Sequence, residues 1–170
     1  MPIINGNELL NQTGLALTPP TLPNVKTNGA ALQVIDFVVD ITATDSATSK
    51  WRLASLPSNV VIQEIKIANT AITGFTSGDI GIYNHGNSTL GAVIFGAAFS
   101  SAASYATSTS NAYSTNGASA ITPANNGKEL WQIAGLSNDP TKLLDIGLLA
   151  NTIGTTAGTV AGKIYYSLAS

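Results

Sequence analysis

Apolar and polar residues alternate in short runs along much of the chain, and this alternation restricts the folds that the sequence can adopt. The clearest run spans residues 31–42. Its apolar positions are Ile35, Phe37, Val39 and Ile41. Asp36 and Asp40 fall on the opposite face. Because side chains alternate between the two faces of a strand, a period of two predicts a half-buried β-strand.

Further runs of the same kind follow. In residues 60–69 the pattern places Val61, Ile65 and Ile67 on one face. The runs GDIGIYNHG and GAVIFGAAF are joined by turn-forming residues, which predicts a β-hairpin. The runs TKLLDIGLLANT and GTVAGKIYYSLA predict a second hairpin at the end of the sequence. In its last strand the residues on one side are Val160, Ile164, Tyr166 and Leu168.

A single segment, residues 127–135, has helical spacing. Its apolar positions at this spacing are Leu130, Ile133 and Ala134. Asn126 is a suitable N-cap and Gly135 a suitable end. Short strands at fairly regular intervals with one small helix predict an all-β fold, a jelly-roll-like antiparallel β-sandwich with one short helix near 127–135.

The length of the chain and its turn-forming residues predict one domain with an arm. The 170 residues suffice for a single core. Residues 1–30 contain Asn-Gly pairs and prolines with only short apolar runs between them, which predicts an extended N-terminal arm. The sandwich then occupies residues 31–170, with a long uncharged loop over 99–127. The N-terminus has neither the basic start nor the apolar run of a signal peptide.

Charged residues are scarce, and this excludes several classes of partner. They make up 9% of the chain, against about 25% in typical soluble domains. The net charge of −2 does not favour binding to nucleic acid or to an anionic membrane. No run approaches the length of roughly 18 apolar residues that a membrane span needs. We therefore expect neither nucleic acid nor a membrane as a partner.

The residues that carry chemistry are too few for a catalytic site. There is no cysteine, and His85 is the only histidine, in a segment that predicts a solvent-exposed turn. Asp36 and Asp40 are about 13 Å apart along one strand, which is beyond the separation of a glycosidase pair. The sequence therefore predicts no catalytic residue, no metal site and no cofactor. A hydrolase is disfavoured, and we expect the protein not to be an enzyme.

Candidate interface residues lie in the arm and in the uncharged loop. An exposed arm would leave its apolar residues in water, so we expect them to be buried against a neighbouring subunit. Small uncharged loop residues lose little solvation in a contact, which makes the loop a candidate contact surface. The candidate interface residues are Ile3, Ile4, Leu9, Leu10, Leu15, Leu17, Leu22, Tyr105 and Tyr113.

Two segments resemble the small virion proteins of tailed bacteriophages. They are WRLASLPSNVVIQEIKIANTAI and ELWQIAGLSNDPTKLLDIGLLANTIGTTAGTVAGKIYYSL, within a resemblance that extends over residues 36–170. Such proteins are jelly-roll-like, and several are head decoration (cement) proteins that bind between capsomers, often as trimers. The resemblance implies a structural virion protein, made in the host cytoplasm, that lies on the capsid surface and binds the major capsid protein. The alternative is a receptor- or glycan-binding module of a head or tail fibre, with Tyr105 and Tyr113 in its site.

Overall fold

The computed structural model describes residues 31–86, 90–108 and 125–168, which form an all-β sandwich of two antiparallel sheets. The strands and the helix are β1 Leu32–Ile41, β2 Lys50–Pro57, β3 Val60–Asn69, β4 Ser77–Asn84, β5 Val93–Ala103, α1 Leu130–Ile133, β6 Leu143–Thr152 and β7 Gly158–Leu168. One sheet has the strand order β1-β7-β3, and the other has the order β2-β6-β4-β5. The predicted all-β antiparallel sandwich is confirmed.

In β1 and β7, buried and more exposed side chains alternate as the sequence predicts. In β1, Phe37, Val39 and Ile41 are buried between the sheets, whereas Asp36 and Asp40 are exposed. In β7 the buried positions include Val160 and Ile164. The β1–β7 register runs without interruption from one end of β1 to the other. A regular register keeps every second side chain on the core face, which is why the simple alternation holds here.

A β-bulge in β3 changes the predicted face of one residue. Val60 and Ile62 are buried with Ile65 and Ile67, so Val61 is not on their face. The register with β7 shifts between Ile62 and Glu64, which leaves one extra residue on β3. An extra residue inverts the alternation on one side of the bulge. The predicted grouping of Val61 with Ile65 and Ile67 is therefore wrong.

The last two strands do not form the predicted hairpin. β6 lies in the four-stranded sheet between β2 and β4, and β7 lies in the three-stranded sheet between β1 and β3. Residues 153–157 therefore cross from one sheet to the other. Both strands are central in their sheets, and β6 is buried on both faces over Leu144–Leu148. Sequential strands are neighbours in roughly two-thirds of cases, and β6 and β7 belong to the remainder.

The helix lies where the sequence predicts it, but it is only four residues long. Leu130 and Ile133 are buried as expected, and Gly135 follows with a φ of 75°. The N-cap is Glu129 rather than Asn126, because Glu129 and Gln132 form a reciprocal capping box.

The uncharged segment is partly a strand. β5 extends to Ala103, so residues 99–103 belong to the four-stranded sheet rather than to the predicted loop 99–127. Residues 109–124 of that loop lie outside the described residues. The predicted arm, residues 1–30, also lies outside them.

Two glycines allow the chain before and within β5 to pass close over the outer face of its sheet. Gly81 of β4 is paired with Gly147 of β6. A Cβ atom on Gly81 would overlap the carbonyl oxygens of Phe95 and Gly96, and one on Gly147 would overlap the Leu90 side chain. The absence of side chains at these positions is therefore needed for this close approach.

We expect Gly81→Ala to lower the free energy of unfolding by about 1–3 kcal/mol, since the added methyl group must displace backbone atoms. Gly96→Ala is the matched control, because the nearest atom to its Cβ would be Val93 Cγ2 at an ordinary 3.5 Å. The control should be neutral or slightly stabilising. Urea unfolding of both variants measures the difference, and equal midpoints would contradict the close approach.

Candidate functional site

A cluster of polar groups surrounds Asp145, a carboxylate on β6 within the four-stranded sheet. Its side chain is 0% exposed. Oδ2 lies 2.9 Å from Nε of Arg52, and Oδ1 accepts a hydrogen bond from Ser55 Oγ at 2.6 Å. His85 Nδ1 lies 2.8 Å from Oδ1, and the Gly86 N–H donates to Oδ2 at 3.3 Å. Side chains from β2 and the segment after β4 thus converge on one residue of β6.

Opposing effects set the pKa of Asp145. Burial by itself raises it, because the charged form loses water. Hydrogen bonds from His85, Ser55 and the Gly86 N–H stabilise the carboxylate and act in the opposite direction. The charge of the Arg52 guanidinium adds to them, and the net result is a lowered pKa for Asp145. The carboxylate is therefore held ionised inside the sheet.

The cluster has the residue types of a catalytic triad, but its hydrogen bonds connect them differently. In a triad the serine hydroxyl is hydrogen bonded to the imidazole, which removes its proton. Here Ser55 and His85 both bind Oδ1 of Asp145, so the hydroxyl proton is directed to the carboxylate. The arrangement positions chain segments instead. Arg52 also donates to the Gly86 carbonyl, so both peptide groups of Gly86 are held by the cluster.

His85 is solvent-exposed, as the sequence predicts, but it also has a structural contact that the sequence analysis did not predict. Its ring is anchored to buried Asp145. Sequence reasoning missed Asp145, although a signal was present. A single acidic residue inside the apolar run LLDIGLL indicates a buried carboxylate, because a central strand has no solvated face.

A cleft of about 370 Å³ lies beside the β2–β3 turn. Its lining includes Ser58, Asp139, Thr141 and Lys142. The Asp139 carboxylate accepts hydrogen bonds from Ser58 Oγ and from the Thr141 N–H, and Lys142 Nζ donates to Asn84 Oδ1 at 3.1 Å. The polar groups of the cleft are thus engaged in bracing two loops. Across the described ranges, no group of three or more His, Asp or Glu side chains is placed to hold a metal ion.

Tyr105, a predicted interface residue, is in the core. Its side chain is 0% exposed, and its ring centroid lies 4.7 Å from that of Phe75. The main chain at Tyr105 is also held, because its N–H donates to the Phe75 carbonyl and its carbonyl accepts from Asn69 Nδ2. The prediction of a surface role for Tyr105 is therefore wrong, since aromatic burial outweighs the polar sequence around it.

The remaining predicted interface residues lie outside the described residues. They are Ile3, Ile4, Leu9, Leu10, Leu15, Leu17, Leu22 and Tyr113. Within the described part of the chain, seven large hydrophobic side chains are exposed, and sequence analysis selected none of them as an interface residue. They are Leu32, Val34, Val38, Val93, Phe95, Leu143 and Leu168. In the part of the chain that the structure describes, no helix is long and apolar enough to cross a membrane.

A solved structure with a similar fold identifies the architecture of this chain. No protein-family model and no curated protein matches the sequence. A chain of the solved capsid of Ralstonia phage GP4 is similar with a TM-score of 0.56 and 15% identity, over 84% of this chain and 88% of that chain. A chain of the cyanophage Pam1 capsid asymmetric unit aligns over the same shares at a TM-score of 0.49 and 14% identity. The likeness to the GP4 chain extends over most of both molecules, so the two share this all-β sandwich architecture.

Proposed function

We propose that the protein is a structural virion protein of a tailed phage, which decorates and cements the capsid by bridging neighbouring capsid subunits. The observation that carries the proposal is the fold likeness to a chain of the Ralstonia phage GP4 capsid, which includes 84% of this chain. Because one fold supports many functions, the chemistry of the surface must agree with the proposal.

The side chains of the described residues support a structural role over a catalytic one. The cluster around Asp145 satisfies its own charges and fixes the segment at His85 and Gly86. The polar groups of the cleft likewise bind one another or the main chain. A surface with few charges can contact a neighbouring subunit at low desolvation cost. The receptor-binding alternative loses support, because Tyr105 is buried.

The partner and the assembly state follow from the same proposal. The partner is the major capsid protein, and the location is the outer surface of the head. The protein associates as a homotrimer, because a closed ring can bridge several capsid subunits at once. The arm, residues 1–30, contributes its apolar residues to these contacts. A bridge stabilises the shell by the area it buries across the seams between subunits.

Electron cryomicroscopy of the phage that encodes the protein tests the proposal. We expect density for a seven-stranded sandwich over the whole head, in a copy number set by the head symmetry. Heads assembled without the gene should lack this density and rupture at lower temperature, and purified protein should restore both properties. Density found only at fibres or at the tail would contradict the proposal.

A further inference from the structure

One end of the sandwich, here called the proximal end, collects the starts of four strands and the ends of three. In the three-stranded sheet, Leu32 pairs with Ser167, and Val60 pairs with Leu168. The proximal end thus has the starts of β1 and β3 and the end of β7. In the four-stranded sheet the pairing places the starts of β5 and β6 beside the ends of β2 and β4. The β2–β3 turn joins the two sheets at this end.

The exposed hydrophobic residues are concentrated at the proximal end. Of the seven large ones in the described part of the chain, six lie within three residues of a strand terminus at this end. The six are Leu32, Val34, Val93, Phe95, Leu143 and Leu168. The seventh, Val38, lies farther along β1. Scattered exposed apolar residues are normal on a protein surface, but their concentration at one end is typical of an interaction site.

The opposite, distal end has a different character. Its β1–β2 turn, residues 42–49, is closed by polar groups: the Thr42 N–H and hydroxyl donate to the Asp45 carboxylate, and Ser49 Oγ accepts from the Ser46 N–H. Such turns are well solvated and need no protein partner. The two ends of one sandwich therefore differ in how much apolar surface they leave in water.

Three charged groups at the proximal end are already engaged within the chain, while Lys128, which precedes the helix, is exposed. Asp139 accepts from Ser58 and Thr141, and Lys142 donates to Asn84. Glu129 accepts from the indole N–H of Trp131 at 2.7 Å. A partner that docks here meets several apolar side chains and few charges that lack a partner within the chain, so complementarity favours an uncharged, apolar surface.

The N-terminal segment outside the described residues joins the domain at the same end. Residue 31 directly precedes the start of β1, so residues 1–30 connect to the proximal end. We infer that the proximal end is the surface by which the sandwich docks on the capsid shell, against an uncharged apolar patch of the shell subunits. The inference rests on the proposed function and adds the orientation of the molecule, with its distal end facing outward.

Single substitutions test this orientation. Leu143→Gln and Leu168→Gln place an amide at proximal positions that are 41% and 47% exposed, and Val38→Gln is the matched control at 70% exposure. Binding of each variant to heads assembled without the protein gives its Kd. We expect Kd to rise by about tenfold for each proximal variant, as for anchor residues of an interface, and to change by less than about twofold for the control. Circular dichroism and thermal unfolding verify that each variant is folded.

Hydrogen exchange of the unmodified protein provides a second measurement that does not depend on any variant. Amides near Leu143 should become protected on heads, while those of residues 42–49 should exchange as in the free protein. Protection at the distal turn alone, or unchanged Kd values for both proximal variants, would overturn the inference while leaving the proposed function intact. If the unmodified protein does not bind heads, both proposals fail. If the proximal variants lose only self-association, the surface joins copies of this chain and the inference is wrong.

Discussion

Replacement of Asp145 with alanine should lower the free energy of unfolding by about 2–4 kcal/mol, because it leaves several partly buried groups without their acceptor. The side chain is 0% exposed, and the Arg52 guanidinium that it binds is 26% exposed. Removing the carboxylate also frees Ser55 Oγ and the Gly86 N–H. The partial exposure of Arg52 allows some compensation by water, which keeps the expected loss below that of a fully buried ion pair.

Asp36→Ala is the matched control for this variant. Asp36 is also a strand aspartate in an ion pair, with Lys163, but its side chain is 70% exposed. Exposed pairs contribute about 0–1 kcal/mol, so the control should unfold close to the unmodified protein. Chemical denaturation of both variants measures the contrast. If both variants lost a similar free energy of unfolding, the burial of Asp145 would add nothing to its contribution to stability.

The lowered pKa of Asp145 also predicts a dependence of stability on pH. A carboxyl group with a lower pKa in the folded state stabilises the fold fully above its unfolded value of about 3.9. That stabilisation is lost as the pH falls through the folded pKa. The stability difference between the unmodified protein and Asp145→Asn should therefore shrink on acidification below about pH 4. A difference that is constant between pH 7 and pH 2.5 would exclude this linkage.

Ile164→Ala should cost about 2–5 kcal/mol of unfolding free energy through lost burial and the cavity that remains. Ile164 is 0% exposed, and it lies in the central strand of its sheet between Ile35 and Ile65. Neighbours on both sides limit how far the core can collapse into the space. Thermal or urea unfolding of the variant gives the loss directly.

The neighbouring residue in β7 gives the control. Lys163 lies on the outer face, where it contacts Asp36 and is directly opposite Lys66. Lys163→Ala loses an exposed ion pair but also removes a like-charge neighbour, so its net effect should stay within about 0.5 kcal/mol. A loss at Lys163 as large as that at Ile164 would mean that the strand register is wrong.

The sequence predicts single strands well where nothing interrupts their alternation. β1 and β7 follow this rule, because their register is continuous and each has one face on the core. β3 departs from it at one point, since the bulge near Gln63 depends on the pairing with β7 and has no glycine to mark it. Alternation within one strand contains no information about the partner strand.

Features that depend on long-range contacts escaped the sequence analysis. β6 and β7 belong to different sheets because of their pairing with strands elsewhere in the sandwich. In the sequence they are two strands joined by a short connection, which is also the pattern of a hairpin. Asp145 and His85 are 60 residues apart, so no local pattern brings them together. Tyr105 is placed in the core by Phe75 and Asn69, which lie in earlier parts of the chain.

The position of β7 in its sheet has a consequence for biosynthesis. It follows the other six described strands in the sequence, yet it lies between β1 and β3 and pairs with both. The Asp36–Lys163 contact alone spans 127 residues. The sheet therefore closes only after the ribosome has delivered β7, and such non-local pairing is slow, on the order of milliseconds to seconds. During translation the apolar faces of β1 and β3 therefore remain exposed until β7 is made, and exposed apolar surface of this kind favours aggregation or chaperone binding.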